Sequence, residues 1–547
     1  MPILNWLTRD EDIQATKKVP YRLLEEVAEL SVGDKDTGNM LIQSDNLEAL
    51  KALLPYYAGQ VKCIYVDPPF NTGQAFEHYD DNLEHSIWLG LLWPRLELLR
   101  DLLSEDGTMA LHVDDNELAY ASAVMDELFG RSNRCYVVTF KQGAATGHKS
   151  INPGMVNTTN FILIYAKDKR RAWKPNRGFV ERKRDTRYNS FIENIEDDYR
   201  LWRFKTLTAA FTKTFGKKVS ELKKELGKEG YEAVLSEFVS QNAESVIRFA
   251  RPDVEAVGEE TRRLMSVSIQ KPNDIFLQTR EQHPDIYLKG GERVLFYKNK
   301  LKSIDGKLVA GEPLTTLWDD LLSNNLHNEG GVKFPKGKKP EALVKRCFEI
   351  FSNPEDLVLD SFLGSGTSLA VAHKMRRRYI GIEMGENAVT HCQPRLKRVV
   401  EGEQGGISKS VNWKSGGGFR FYRLGANAFD EDGRICPDIR FPVLAAHVWF
   451  SETNSPWNGT GDSPALGIYD GKGYALLYNG ILGDKRPDGG NVVTSRSLQI
   501  VRDEFSRMEK GFSGLVVIYG ESSRIGDTRL KRENVIFKQT PYDVKSR

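Results

Sequence analysis

Residues 357–383 constrain the fold most, because they place two apolar strands on either side of one helix. LVLD (357–360) is a short apolar run, the loop SFLGSG follows, TSLAVAHKM has the pattern of a helix, and YIGIE (379–383) is a second apolar run. A strand, a helix and a second strand in this order form a unit whose strands lie parallel. The pattern therefore predicts an α/β fold in which helices cover a parallel sheet.

A similar unit precedes it. MLIQ (40–43) and VKCIYV (61–66) are typical of strands, and DNLEALKALLPYY between them places apolar residues on one helical face: Leu47, Leu50, Leu53, Leu54 and Tyr57. TMALHV and FILIYA (161–166) are further apolar runs, and PEALVKRCFEIF predicts a helix with Pro340 in its first turn. Residues 190–250 are polar, and we expect them to be mainly helical.

Composition excludes several classes of protein. Hydrophobic residues make up 40% and charged residues 28% of 547, which is a globular balance rather than that of a disordered chain. Without an apolar run of about 18 residues we expect no membrane span. The N-terminal MPILNWLTRDEDIQ turns acidic too early for a signal peptide. The five cysteines are far apart and lack a CxxC pair, which favours free thiols in a reducing compartment, and so a cytoplasmic protein.

The motif Asp67-Pro68-Pro69-Phe70 directly follows the strand VKCIYV. An exocyclic amine on a nucleobase is a poor nucleophile, because its lone pair is conjugated with the ring. The carboxylate of Asp67 and the backbone carbonyl of Pro68 could accept the two amine hydrogens, the prolines would hold the loop rigid, and Phe70 could stack on an extruded base. The alternative is an ordinary turn that ends a strand and packs a phenylalanine.

The motif Asp360-Ser-Phe362-Leu-Gly364-Ser365-Gly366-Thr367 follows the strand LVL. Its glycines would let a ligand approach the backbone where the chain enters a helix. Glu383 ends the next strand, where an acid can accept both ribose hydroxyls of a nucleoside cofactor. The loop differs from a P-loop, so we expect no nucleotide hydrolysis, although an ordinary strand–helix turn stays open.

Other candidate residues are less specific. Asp45 precedes a helix with Glu48 three residues on, so it is either an N-cap in a capping box or a carboxylate near a cofactor's adenine. Residues 167–187 hold ten Lys or Arg and three Asp or Glu, with Trp173 and Tyr188 nearby, and FPKGKKP (334–340) is also basic. Such runs suit phosphate and base contacts or are solvated surface. Four histidines show no metal-ligand spacing: His112, His148, His327 and His373.

The two motifs together resemble those of amino-DNA methyltransferases. The stretch LIQSDNLEALKALLPYYAGQVKCIYVDPPFNTG is similar to the opening of the beta class, and most of all to modification (Mod) subunits of type III restriction–modification systems. The order also matches, since DPPF precedes the glycine loop. The likeness covers roughly residues 20–170 and 310–425. One departure is the NTTN (157–160) before FILIYA, where family members often carry aromatic, His or Glu residues.

The resemblance implies an S-adenosylmethionine-dependent methyltransferase with a Rossmann-like sheet, acting on adenine N6 of double-stranded DNA by base flipping. It assigns catalysis to Asp67–Phe70, and cofactor contacts to the glycine loop, Asp360, Glu383 and FPKGKKP with Lys339. It implies a catalytic domain in two segments (1–168 and 311–402), a target-recognition insertion (169–310) and a small C-terminal α/β domain (411–547) after a Gly/Ser-rich linker at 401–418.

Several alternatives stay open. These are a cytosine N4 methyltransferase, a solitary enzyme without a restriction partner, a protein or RNA methyltransferase, and a non-enzymatic DNA-binding subunit. Protein or RNA methyltransferases typically have Asn before Pro-Pro and the unpermuted order, which differs from this chain. Partners implied are DNA, a second copy in a homodimer, and a restriction (helicase/nuclease) subunit on another chain, since no GKT or GKS loop occurs here. No metal is expected.

Overall fold

The structure is a computed structural model that describes residues 3–70, 85–143, 154–321, 326–334, 337–429, 435–436, 439–484 and 490–540, with residues 326–328 described by backbone alone. The α-helices of these residues, numbered along the chain, are α1 Arg9–Asp12, α2 Ala15–Lys18, α3 Asn46–Tyr57, α4 His85–Leu102, α5 Leu118–Met125, α6 Leu207–Phe215, α7 Val219–Gln241, α8 Glu259–Gln270, α9 Glu341–Phe351, α10 Thr367–Lys374, α11 Gln393–Val400, α12 Phe441–Thr453, α13 Ser495–Met508 and α14 Asp527–Arg532.

The β-strands of the same residues are β1 Arg22–Glu26, β2 Val32–Gly33, β3 Met40–Gln43, β4 Val61–Val66, β5 Leu103–Val113, β6 Arg134–Lys141, β7 Thr159–Ala166, β8 Phe179–Glu181, β9 Ser190–Ile192, β10 Phe204–Thr206, β11 Val246–Ala250, β12 Ile275–Gln278, β13 Ile286–Lys289, β14 Glu292–Phe296, β15 Leu301–Ile304, β16 Lys307–Pro313, β17 Leu317–Trp318, β18 Leu357–Asp360, β19 Arg378–Glu383, β20 Gly418–Asn427, β21 Ala465–Tyr469, β22 Lys472–Leu476, β23 Val492–Val493, β24 Leu515–Gly520, β25 Ser522–Ser523 and β26 Val535–Gln539.

Contacts divide the chain into two compact units, one of Met1–Asn176 with Thr315–Arg547 and one of Arg177–Leu314. The first unit is built on an eleven-stranded sheet in the order β1-β20-β3-β19-β18-β4-β5-β7-β6-β17, with β2 beside β20. Six neighbours from β20 to β5 run parallel, and β7 is antiparallel to β5. The predicted α/β fold with a helix-covered parallel sheet is confirmed.

The central strands are short and apolar because helices cover both faces of a parallel sheet. Strands β3, β4 and β18 fall where their apolar runs predict them, and α3 spans its predicted helix. Their side chains join those of α3, α4 and β5 in one buried core. A small correction concerns Pro340, which caps α9 with an extended backbone and stands just before its first turn.

The unit Arg177–Leu314 contains an antiparallel six-stranded sheet, β10-β9-β11-β14-β13-β12, and a three-stranded sheet, β15-β16-β8. The expectation that residues 190–250 are mainly helical holds for α6 and α7 but is wrong for β9, β10 and β11, which are too short to reveal an alternating pattern. Helix α7 is broken at Gly227, whose φ of 70° is non-helical.

The C-terminal region forms a four-stranded sheet, β21-β22-β24-β26, with α12, α13 and α14. Residues 401–418 are not a loose linker, because Ile407, Ser408 and Trp413 are buried. FRFYRLG belongs to β20, inside the central sheet, although these residues were assigned to the C-terminal domain. The division into catalytic, recognition and C-terminal domains stays a prediction.

Two further observations concern the helices and the cysteines. In the described ranges, every helix is too short or too polar to cross a lipid bilayer. All five cysteines are free thiols, as predicted, and three of them are buried: Cys63, Cys347 and Cys392.

Candidate active site

Three carboxylates meet at the carboxyl edge of the central sheet. Glu383 ends β19, Asp360 ends β18, and Asp67 follows β4, and these strands are adjacent in that order. From β4 the chain continues through α4 to β5, whereas from β18 it continues through α10 to β19 on the other side. This reversal is the position at which open α/β sheets bind ligands.

Asp67 is held by Lys339, a residue that the resemblance assigns to cofactor contacts. Lys339 Nζ lies 2.7 Å from Asp67 Oδ2 and 4.3 Å from the centroid of the Phe70 ring. The side chain of Lys339 is only 8% exposed and that of Asp67 17%, so this ion pair is shielded from solvent. The Trp88 indole donates a 2.7 Å hydrogen bond to the carbonyl of Pro69, which fixes the loop from α4. The residues NTG that follow Phe70 lie outside the described ranges.

Phe70 packs against His112, which sequence reasoning did not place in the site. The ring centroids are 5.4 Å apart, and His112 is fully buried near the end of β5. Its Nδ1 is 2.8 Å from Tyr65 Oη, and its Nε2 accepts a 3.1 Å hydrogen bond from the Asn160 amide. Burial, reinforced by the nearby Lys339, holds the pKa of His112 well below its ordinary value, so the ring is neutral.

The glycine loop is held by the carboxylates at its ends. Gly364 and Gly366 have φ values of 57° and 78°, which favour glycine. The Gly364 N–H donates to Glu383 Oε2 at 2.7 Å, and the Phe362 N–H donates to Asp360 Oδ1 at 2.9 Å. The backbone path from β18 into α10 is therefore fixed by Glu383 and Asp360.

Asp360 is a strongly perturbed acid at this edge. Burial raises its pKa to about 7, a hydrogen bond from Ser368 opposes the shift, and the nearby Asp67 and Glu383 add to it. Lys339 balances Asp67, but Asp360 and Glu383 cannot both ionise without cost, so this edge of the sheet favours a cationic ligand.

The hydroxyl groups of the loop turn toward a buried arginine. Arg395 Nη1 donates to Thr367 Oγ1 at 2.7 Å and approaches the Ser365 carbonyl and hydroxyl at 3.3 Å. Arg395 Nη2 also pairs with Glu341, which in turn pairs with Lys374. The side-chain oxygens of Ser365 and Thr367 thus support the loop from behind.

Asp45 is the N-cap of α3, which is one of the two roles predicted for it. Its carboxylate accepts a 2.8 Å hydrogen bond from the Leu47 N–H and pairs with Arg95 at 3.0 Å. Glu48 pairs with Arg22 instead of completing the capping box. The Asp45 side chain is 42% exposed. The neighbouring Ser44 N–H donates to the Glu383 carbonyl, so Asp45 also lies close to the end of β19.

The aromatic residues near the basic run are packing residues, which corrects one expectation. The Trp173 indole donates to Thr108 Oγ1 at 2.8 Å, and Trp173 stacks on Phe351. Tyr188 is buried against Tyr297. Several of the cations are exposed, however: Arg170, Arg171, Lys174, Arg177, Arg182, Lys183 and Arg187. In FPKGKKP, Pro335 and Lys336 lie outside the described ranges.

The histidines do not form a metal site in the part of the chain that is described, where no group of three or more His, Cys, Asp or Glu is arranged to hold an ion. His373 bonds to Tyr379 and to the Gly416 carbonyl. His148 lies outside the described ranges, as does the side chain of His327.

Fold and site together define a class of protein: an open α/β sheet with an acidic DPPF loop and a glycine loop on adjacent strands. A family model described as DNA methylase (N6_N4_Mtase) matches residues 61–393, which include both motifs. The chain belongs to this DNA methylase family, and the resemblance stated from its motifs is confirmed.

Individual relatives agree with the family match. The chain is 34% identical over 417 residues to a probable type III restriction-modification enzyme HindVI Mod subunit of Haemophilus influenzae, covering 71% of this chain and 54% of the relative. It is 28% identical over 416 residues to the EcoPI Mod subunit of Escherichia phage P1, covering 68% and 60%. The chain thus spans little more than half the length of these relatives. A crystal structure of an M1.HpyAVI–SAM complex matches with a TM-score of 0.31 and 14% identity, over 65% of this chain and 98% of the other.

Proposed function

We propose that this chain transfers a methyl group from S-adenosylmethionine to adenine N6 in double-stranded DNA. The observation that carries the proposal is the position of Asp67 beside the glycine loop, across the reversal between β4 and β18. An acceptor for an amine and a loop for a nucleoside are thereby brought to one crevice. The family match and the likeness to Mod subunits support DNA as the substrate.

The donor set fits this cofactor. Glu383 supplies a buried carboxylate at the end of β19 and Gly364 supplies close backbone, as a ribose and its chain require. The buried acids Asp360 and Glu383 suit a positive charge, whereas the charge of Asp67 is balanced by Lys339. We assign cofactor contacts to the predicted residues: Asp45, Lys339, Asp360, Phe362, Gly364, Ser365, Gly366, Thr367 and Glu383. S-adenosylmethionine, when bound, supplies a methyl group already activated by its sulfonium.

The catalytic work of the chain is to bind and orient the target amine. Asp67 accepts an amine hydrogen and the Pro68 carbonyl accepts a second, which draws the nitrogen lone pair out of conjugation. Phe70 offers its face to the extruded base, and Pro69 stiffens the loop. Because Lys339 now bonds to Asp67 and covers Phe70, its ammonium must withdraw as the base enters. Alignment and this polarisation would supply most of the rate.

A radiolabel transfer assay tests this function. Unmodified genomic DNA is incubated with the full chain and methyl-labelled S-adenosylmethionine, and the modified nucleosides are separated. We expect N6-methyladenine, whereas N4-methylcytosine would identify the alternative substrate and labelled protein or RNA would replace the proposal. Mapping the modified bases then gives the recognition sequence.

Asp67→Ala is the decisive variant. We expect transfer to fall by about 10²–10³-fold or more, because a preorganised polar contact to the reacting group is lost. Cofactor affinity, measured by calorimetry, should change little. Asp168→Ala removes a carboxylate that caps a turn through the N–H groups of Arg170 and Arg171 and makes one weak pair with the exposed Arg171 side chain, and should keep full activity. Full transfer by the Asp67 variant would sink the assignment.

The partner proposal is a restriction subunit on another chain, supported by the names of the relatives. Co-purification with the products of neighbouring genes tests it, and a chain that methylates but recruits no helicase or nuclease would be a solitary enzyme. A homodimer is tested by sedimentation with and without DNA.

A further inference from the structure

The polar pair Asn160–His112 lies behind Phe70 of the DPPF loop, which packs on the His112 ring, and is unused by the mechanism above. Asn160 is the last residue of NTTN, the segment in which this chain departs from its family. It stands on β7, whereas His112 stands on the adjacent β5, and both are buried. Buried polar groups are retained where their hydrogen bonds specify a geometry.

The hydrogen bonds of this pair define the tautomer of the ring. The amide nitrogen of Asn160 can only donate, so Nε2 of His112 accepts and a neutral ring carries its proton on Nδ1. Nδ1 is 2.8 Å from Tyr65 Oη and 3.9 Å from Asp67 Oδ1. The second distance is too long for a hydrogen bond, so the Nδ1–H donates to Tyr65 Oη while Nδ1 stays within 3.9 Å of the carboxylate.

The surroundings of His112 explain why the tautomer matters. The ring is packed by Tyr65, Phe70 and Phe140, and the charged groups facing it are Asp67 and Lys339. While Lys339 holds Asp67, a cation balances the carboxylate. When a neutral base amine takes the place of that cation, the ring and the Tyr65 hydroxyl bonded to it are polar groups left near Asp67 on the protein side.

We propose that Asn160 and His112 are positioning residues, in which Asn160 fixes the His112 tautomer so that an N–H, and not a lone pair, faces the side of Asp67. With the opposite tautomer, the Nδ1 lone pair would repel the carboxylate and displace it from the target amine. The proposal rests on the proposed function, because it assigns Asp67 the amine contact. It also gives the NTTN segment a role.

Asn160→Asp inverts the polarity at Nε2 with almost no change in size. An acceptor in place of the amide donor draws the proton to Nε2, which turns the Nδ1 lone pair toward Tyr65 and Asp67. We expect kcat to fall about 10–100-fold, the range found when a partner that orients a functional side chain is lost. The KM values for DNA and cofactor should stay within about threefold, and the kcat–pH profile should gain a limb as the new anion raises the pKa of His112.

Three controls separate this role from mere packing. Asn176→Asp makes the same change at an amide that donates to the Glu349 carbonyl, and should leave kcat unchanged. His112→Asn keeps an amide N–H near the position of Nδ1 and should retain more activity than His112→Phe. These His112 variants also test the proposal should Asn160→Asp fail to fold.

The tautomer itself is measured by ¹⁵N NMR on histidine-labelled protein, with the His112 signals identified by their loss in His112→Phe. We expect a protonated Nδ1 in the wild type and a protonated Nε2 in Asn160→Asp. A wild-type proton on Nε2, or an unchanged kcat in Asn160→Asp, would overturn the proposal. Failure of the proposed function is distinct, since it would appear as absent DNA methylation in the wild type whatever the tautomer.

Discussion

Removing the carboxylate of Glu341 should destabilise the first unit strongly. Its Oε1 lies 2.8 Å from Arg395 Nη2 and its Oε2 lies 2.8 Å from Lys374 Nζ, and all three side chains are 0% exposed. In Glu341→Ala, Lys374 keeps Glu403 at 2.7 Å, but Arg395 loses its carboxylate. Breaking a buried pair from one side costs about 3–5 kcal/mol. A loss of about 4 kcal/mol corresponds to roughly three powers of ten in the unfolding equilibrium.

Urea unfolding of wild type and variant measures this difference. The slope grows with the surface exposed and exceeds the roughly 1–3 kcal/mol per molar urea of small proteins, so at about 4 kcal/mol per molar the midpoint should fall by about 1 M. Glu105→Ala is the matched control, because Glu105 is 75% exposed and stands 3.9 Å from Lys167; it should cost under about 1 kcal/mol. A loss as small as that of the control would refute the reasoning.

The pH dependence gives a second check on Glu341. Burial favours the neutral acid, but Arg395 and Lys374 outweigh it and lower the pKa of Glu341 below its ordinary value. The folded chain therefore releases this proton more readily than the unfolded chain. The stability contributed by Glu341 is present above its ordinary pKa and is lost as the pH falls through the lowered value. The difference in the free energy of unfolding between wild type and Glu341→Ala should therefore become smaller as the pH falls through this range.

Two further predictions concern the glycine loop. The pKa of Asp360 is raised to about 7, so the folded chain holds a proton that the unfolded chain releases, and stability is lost as pH rises from about 4 to about 7. In urea unfolding, Asp360→Asn should be as stable as wild type at pH 4 and more stable at pH 8. Equal stability of the two proteins at both pH values would contradict the shift. Gly366→Ala pays about 1–2 kcal/mol for its φ of 78° and also places a Cβ 3.3 Å from Cys392 Cα. Gly59 also has a positive φ, 68°, but a Cβ added there meets no atom within 4 Å beyond its chain neighbours. Gly59→Ala should therefore lose less stability than Gly366→Ala in urea unfolding. Unlike Gly366→Ala, it should leave the cofactor affinity measured by calorimetry unchanged.

The strands that carry the site were predictable because each is a short apolar run with an acid at its carboxyl end or directly after it. Parallel strands buried on both faces leave this signal without any alternation. Once β4, β18 and β19 are recognised, their carboxyl ends must share one edge, which brings Asp67, Asp360 and Glu383 together. The sequence pattern therefore contains the outline of the site.

The contacts that refine the site depend on strand order and were not predictable. His112 reaches Phe70 only because β5 lies next to β4, and Asn160 reaches His112 only because β7 lies next to β5. Lys339 reaches Asp67 across a sequence gap that no local pattern spans. The glycines of residues 401–418 suggested a loose segment, but burial of Trp413 against Val399 and Ala370 decides otherwise. The sequence pattern also did not reveal β20 as part of the sheet, because its partner β3 is remote in sequence.

The place of β20 determines where this chain can be cut. β20 lies between β1 and β3, pairing antiparallel with the first and parallel with the second. A fragment ending at Val400 would strip β3 of its outer neighbour and leave β1 without a sheet, exposing an edge that invites aggregation. An expressible fragment that keeps this sheet must therefore extend through Asn427, so the sheet that carries the glycine loop is complete only after its last strand has been synthesised.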